Sequence, residues 1–327
     1  MSEQLIHKKS RAFNEVIIDS KYSRVIKKSS DFEKLVCEAN WYGTDFIDSL
    51  PSELLPFVPR VLKVNSPSDE NLGSIEMEYC PYSVLSDLFV NKVEVDWRRI
   101  LKRLLEIHEM FSTPYNSSTL DEVKAFHLQK SKQRFEELKK LPVLSSVLKC
   151  KGIIINGEVY KNIDFDGILE DLERKLCYAS LSIVHGDYCF SNILYDLNSD
   201  CVKLIDPRGY LLDKKKPTPF GDPNYDFAKL MHSVHGLYDY IVAGKYSLIA
   251  MDANRFSFKI GRNVPLGLLT LLRDASPNLR IYAYRCLLEV LLFLTMIPLH
   301  WEDPQRQLAF YLRAIQLYRS YQTINGL

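Results

Sequence analysis

Two short apolar runs, Leu181–Val184 and Val202–Ile205, each lead into an acid: Asp187 shortly after the first, Asp206 directly after the second. No other feature constrains the fold as tightly. Apolar runs of this length, bounded by turn residues, read as buried strands. A buried strand that stops at a carboxylate delivers that group to a cleft. Asn192 stands five places after Asp187, and Asp206 follows fourteen places later. Together they suit one kind of chemistry. A carboxylate can accept a proton from a hydroxyl, and a carboxamide with a second carboxylate can hold magnesium on phosphates. Gly186 permits a tight backbone before Asp187. His185 reads as a loop-holding hydrogen-bond partner, since Asp187 already fills the role of base. Each residue also has a plain alternative. Asp187 alone is a turn residue, Asn192 caps Ile193–Tyr195, and Asp206 ends a strand before Pro207. Arg208 either meets a phosphate or anionic substrate group or pairs with a neighbouring acid.

The bulk composition narrows the class. A chain of 327 residues is long for one core, which favours two lobes. Hydrophobic content of 46% and charged content of 25% are those of a soluble globular protein. A net charge of +1 argues against nucleic acid as the main partner. The seven cysteines are scattered without a CxxC pair, so they read as free thiols in a reducing, cytoplasmic setting. No signal-peptide core is visible at the N-terminus. Leu287–Leu299 is apolar but interrupted by Glu289 and Pro298, so it reads as a buried helix and not as a membrane insertion.

Periodicity gives the organisation. Phe13–Ile18 and Tyr22–Lys28 read as strands around a turn at Asp19–Lys21. Ser30 or Asp31 caps a helix through Phe32–Trp41, and strands follow at Val61–Val64 and Ile75–Tyr79. From Val95 the pattern is mostly helical, over Trp97–Phe111, Leu120–Leu141 and Phe165–Tyr178, with a hairpin at Gly152–Tyr160 around Asn156-Gly157. After Asp222 the chain reads as helical to its end. The expected fold is therefore α+β. It has a small β-rich N-lobe over residues 1–80, carrying one helix, and a large, mainly helical C-lobe over 81–327.

His185-Gly186-Asp187 with Asn192 and Asp206 resembles the catalytic and metal-binding segments of the bilobal protein-kinase-like fold. The Gly in second place is similar to the aminoglycoside phosphotransferase and choline kinase group, the small-molecule branch of that fold. Gly221–Leu230 resembles the segment that this group carries after its metal-binding Asp. The resemblance implies that Asp226 anchors the catalytic loop. Leu292–His300 and Met77-Glu78-Tyr79 resemble bacterial phosphotransferases of capsule or surface-polysaccharide synthesis.

The resemblance implies ATP and Mg2+ as cofactors and a small-molecule hydroxyl as acceptor. Asp187 is then the catalytic residue, and Asn192 and Asp206 are the metal ligands. Arg24-Val25-Ile26-Lys27 resembles the strand that supplies the phosphate-binding lysine, which selects Lys27 over Lys28. Glu38 orients that lysine, with Glu33 as its rival. Glu78 and Cys80 stand where a connector's backbone meets the nucleotide base. No G-x-G-x-x-G loop is present. Lys8–Phe13 occupies its place, with Ser10 offering a backbone turn to phosphate. No A-P-E segment is present either, which argues against a protein substrate. His232, His235, Tyr238, Tyr240, His300, Trp301, Glu302 and Asp303 are candidates to line the acceptor pocket of a sugar, amino sugar, choline-like or amino-alcohol compound. A pseudokinase or nucleotide-sensing module without turnover is the alternative.

Overall fold

The first lobe is built on alternating strands. A computed structural model describes residues 5–10, 14–43, 52–68, 71–112 and 120–326. β1 (Leu5–Ser10), β2 (Asn14–Asp19) and β3 (Arg24–Ser29) are followed by helix α1 (Phe32–Tyr42), then by β4 (Val61–Asn65) and β5 (Gly73–Glu78). The five strands form one antiparallel sheet in the order β1-β2-β3-β5-β4. The turn between β2 and β3 closes where Asp19 accepts from the Tyr22 N–H at 3.3 Å and from the Arg24 guanidinium at 3.1 Å. Asp31 caps α1 by accepting from the Lys34 N–H. The sequence expectation placed Lys8–Phe13 in a loop ahead of the first strand pair. Instead Leu5–Ser10 is itself a strand paired with β2, so Ser10 ends β1. Arg11, Ala12 and Phe13 lie outside the described residues.

β6 (Ser83–Val84) and α2 (Leu85–Val90) lead into the second lobe, followed by α3 (Trp97–Phe111), α4 (Leu120–Lys139), β7 (Gly152–Ile155), β8 (Glu158–Lys161) and α5 (Phe165–Lys175). Short strands β9 (Ser182–Ile183), β10 (Ile193–Tyr195), β11 (Val202–Leu204) and β12 (Phe220–Gly221) carry the motif region. Next come α6 (Pro223–Val234), α7 (Tyr238–Val242), β13 (Tyr246–Ala250), β14 (Arg255–Ile260), α8 (Leu266–Asp274), α9 (Leu279–Met296) and α10 (Pro304–Asn325). The chain after Asp222 is therefore not wholly helical. β13 and β14 form a hairpin whose Phe256 and Phe258 are buried, and β14 adds in parallel to β7.

α9 is the axis of the large lobe. Every residue from Ala283 to Thr295 is buried, because α4, α6 and α10 pack around it. The segment Leu279–His300 is long and apolar enough to cross a membrane, yet 83% of its apolar window is buried inside the protein. A helix that is apolar all round belongs in such a core.

α1 is fastened to the large lobe. Trp41 donates its indole N–H to Val184 O at 2.7 Å, Tyr42 accepts from the Asp206 N–H at 2.8 Å, and the Cys37 thiol meets Lys214 O at 3.0 Å. Gly209 closes the contact, with φ +69° and a position where a Cβ would lie 2.1 Å from Cys37 O. Both the left-handed backbone and the close approach require glycine. Gly209→Ala is expected to cost about 1–3 kcal/mol of stability, read as a lower urea midpoint with unchanged m-value.

Candidate active site

Register does the assembly. β10 pairs antiparallel with β11, matching Ile193 to Leu204, and the Ile205 N–H donates to Asn192 O at 2.9 Å. This sets Asn192 and Asp206 side by side at one end of the ribbon. β9 pairs with β12, matching Ile183 to Phe220, so the loop of His185–Asp187 runs against the start of α6. There Asp226 accepts from the His185 N–H at 2.6 Å and the Gly186 N–H at 2.8 Å. Gly186 takes φ +77°, which lets the chain turn sharply between these bonds.

Asp187 is held at both oxygens. Oδ2 accepts from the Asn192 amide at 2.9 Å, and Oδ1 lies 2.7 Å from the Lys229 ammonium. The same amide nitrogen donates to Asp187 O at 2.9 Å. Burial alone would raise the Asp187 pKa, but Lys229, with Arg208 beyond it, holds the group well below the usual carboxylate range. It is therefore ionised throughout the physiological range.

From the small lobe, Lys27 enters the same cleft. Its ammonium lies 2.5 Å from Glu38 Oε2 and 2.8 Å from Asp206 Oδ1. Burial opposes its charge, but Glu38 and Asp206 overcome that and keep it protonated. The geometry separates the rivals: Lys28 points to Glu15 at 3.6 Å, and Glu33 is on the exposed side of α1. Asp206 sits at φ +58°, a left-handed conformation that Asp tolerates better than most residues.

Lys27, Lys34, Glu38, Asp187, Asn192, Asp206 and Lys229 line one cleft of about 430 Å³. Its donor set fits a magnesium ion. Both Asn192 N–H groups are taken up by Asp187, the amide oxygen accepts one long bond from the Ser191 hydroxyl at 3.4 Å and keeps a lone pair to offer, and Asp206 Oδ2 has no hydrogen-bond partner among the described residues. Two hard oxygens of this kind, completed by phosphates and water, are what magnesium takes at nucleotide sites. Among the described residues no cluster of three or more His, Cys, Asp or Glu forms a protein-only metal cage.

His185 is buried and neutral. Burial drives its pKa down to about 4, and its Nδ1 receives the Asp187 N–H at 3.3 Å. His108 is likewise pushed down to about 4 by burial. Both folded values lie below the ordinary histidine pKa, so the unfolded chain binds more protons between the two values. Stability is then lost as pH falls below about 6.5. Going from pH 7 to pH 5 is expected to cost roughly 2 kcal/mol for each histidine, measured by urea unfolding at the two pH values.

Several expected pocket residues lie elsewhere. His232 is buried between the ring of Tyr238, stacked at 4.3 Å, and Phe293. His235 faces α9, with Nδ1 2.8 Å from Glu289. His300 packs on Phe310 at 4.9 Å, and Tyr240 donates to Phe89 O. Trp301 is exposed, while Glu302 and Asp303 pair with Arg306. Only Tyr238 of that set lines the cleft. The helical turns that space these residues direct most of them into the α9 core or onto the surface. Glu78 and Cys80 also lie outside the cleft lining. The Glu78 N–H is already taken by Arg60 O at 2.9 Å, so any contact from Glu78 backbone to a base falls to its carbonyl.

Lys229 is the residue that the sequence reading missed. It sits within α6, all of whose residues are buried. A lysine in such a helix is a signal in itself, because a buried ammonium demands a counter-charge.

No protein-family profile and no curated protein sequence matches this chain. Solved structures do. The GDP and kanamycin complex of an aminoglycoside 2''-phosphotransferase aligns over 99% of this chain and 94% of its own, with 14% identity and a TM-score of 0.54. The GDP complex of wild-type aminoglycoside 2'-phosphotransferase-IIIa aligns over 99% and 94%, with 12% identity and a TM-score of 0.52. A choline/ethanolamine kinase family protein from Mesorhizobium loti aligns over 99% and 89%, with 10% identity and a TM-score of 0.49. With its β-rich first lobe, its helical second lobe and this alignment along nearly the whole length, the chain has the bilobal, protein-kinase-like fold of the aminoglycoside phosphotransferases.

Proposed function

We propose that this protein is a magnesium-dependent phosphotransferase that moves the terminal phosphoryl group of a nucleoside triphosphate to a hydroxyl of a small molecule. The observation that carries this reading is the convergence of Asp187, Asn192, Asp206 and the Lys27–Glu38 pair on one cleft between the lobes. Asn192 and Asp206 would hold magnesium, which neutralises phosphate charge when bound. Lys27 faces the same charge from the small lobe, kept extended by Glu38. Asp187 receives the acceptor hydroxyl. Because Asp187 is strongly acidic, it acts chiefly by orienting that hydroxyl and takes the proton late, as suits a loose phosphoryl-transfer transition state. Most of the catalysis is then positioning and charge stabilisation.

ATP is the expected phosphoryl donor, and GTP belongs in the same test because the two aminoglycoside phosphotransferases were solved with GDP. The experiment is release of ADP or GDP by the purified protein with magnesium and a panel of sugars, amino sugars, amino-alcohols and hydroxy acids. Turnover that stops on chelation of magnesium and in Asp206→Asn is the expected result. Nucleotide binding without release under any acceptor would replace this reading with a nucleotide-sensing module.

A further inference from the structure

Beside the catalytic carboxylate, three cations converge on one ring. Lys130 of α4 donates to the Tyr225 phenol oxygen at 2.6 Å and lies 4.8 Å from the ring centroid. Arg208 reaches the same oxygen at 3.4 Å, with its guanidinium carbon 5.6 Å from the centroid. Lys229 lies 6.0 Å from that centroid and is the cation paired with Asp187. Among the described residues, neither Lys130 nor Arg208 has a carboxylate within ion-pair distance. The charges of Asp187 and Asp226 also reach Arg208, but Asp187 is paired with Lys229 and Asp226 is occupied by two backbone N–H groups.

Burial opposes the Arg208 charge, but Tyr225, Tyr210, Asp187 and Asp226 raise its pKa, so the shortfall of counter-charge falls mainly on Lys130. Burial pushes the Lys130 ammonium down to about 8, and Arg208 and Lys229 push in the same direction. Burial would raise the Tyr225 phenol, but the surrounding cations bring it down to about 8. Cations left short of counter-charge in a partly dehydrated setting are costly. An incoming oxyanion relieves that cost and finds Arg208 with a planar fork of donors. The cavity beside Arg208 and Tyr225, about 20 Å³, has room for about one water, so an anion meets the pair on their solvent side, where both are half-buried.

We propose that Lys130 and Arg208, with Tyr225 between them, form an anion subsite next to Asp187, and that the acceptor is a hydroxyl compound bearing a carboxylate or phosphate group. This rests on the phosphotransferase reading above. It separates the protein from enzymes of polycationic amino sugars, which would be repelled by this wall. The lining of the cleft also includes Asp87 and Asp239, which would suit an acceptor that also bears an ammonium.

The test uses the full chain with magnesium and nucleoside triphosphate, and acceptors in matched sets: glycerol, glycerate, glycerol 3-phosphate and aminopropanediol, then glucose, gluconate, glucose 6-phosphate and glucosamine. The expected result is a kcat/KM at least tenfold higher for a carboxylate or phosphate member than for its neutral or cationic counterpart. Which anionic member wins distinguishes carboxylate from phosphate. Lys130→Met is expected to remove the preference mainly through KM, and Lys130→Arg to restore it. Preference for neutral or amino members, with turnover intact, overturns the anion subsite and leaves the phosphotransferase reading standing. Independently of turnover, calorimetric titration with inorganic phosphate and with citrate should show binding of at least one of them to wild type that is lost in Lys130→Met and kept in Lys130→Arg. Absent or unchanged binding overturns the subsite even if the protein transfers phosphate. Binding that behaves as expected in a protein without turnover supports the subsite and removes the phosphotransferase reading alone.

Discussion

Asp187→Asn is expected to lower kcat for phosphoryl transfer by about 10²–10⁴-fold, with little change in nucleotide affinity. The substitution keeps the shape of the side chain, but an amide cannot take the proton that the acceptor hydroxyl gives up. It also strips Lys229 of its partner at 2.7 Å and leaves an ammonium buried without a counter-charge. Two consequences follow from one change, and they separate experimentally. Loss of the base appears in kcat at saturating acceptor. Loss of the Lys229 partner appears in stability, as a lower urea midpoint. A variant with wild-type stability and wild-type turnover would remove Asp187 from the mechanism.

Asp226→Ala is expected to destabilise the fold by about 2–6 kcal/mol, because two buried N–H groups lose their acceptor. Those donors belong to His185 and Gly186, at 2.6 and 2.8 Å. Without them the loop that carries Asp187 loses its anchor to α6, so activity falls along with stability. Asp226→Asn keeps one acceptor oxygen and is expected to lose less of both. Urea unfolding of the two variants, compared with nucleotide release, measures the difference.

What the sequence disclosed, and what it hid, follows from how local each interaction is. The ends of β9 and β11 were legible because an apolar run, a turn and an acid lie within a few residues of one another. Lys27 was legible through the resemblance of Arg24–Lys27 to a phosphate-binding strand, together with the alternation that sends Lys27 and Lys28 to opposite faces. Lys229 was hidden because its partner is 42 positions away in the chain, and nothing at residue 187 says which element will cross beside it. Position 189 holds a cysteine whose thiol lies 3.9 Å from Asp187 Oδ1, so the loop itself supplies no cation there. The hairpin of β13 and β14 was hidden for a different reason. Its alternating phenylalanines were present, but the partner strand β7 lies about a hundred residues earlier, and helical surroundings outweighed a short local signal. The histidines near α7 and α9 were misjudged because residue type suggested chemistry where helix geometry dictated packing.

The attachment of α1 bears on how such a protein is controlled. The helix that carries Glu38 is pinned to the large lobe through Trp41, Tyr42, Cys37 and the glycine at 209. Swinging it outward would break every one of those links at once. If the protein transfers phosphate as proposed, Lys27 and Glu38 are expected to stay paired with or without nucleotide, so that little rearrangement precedes turnover.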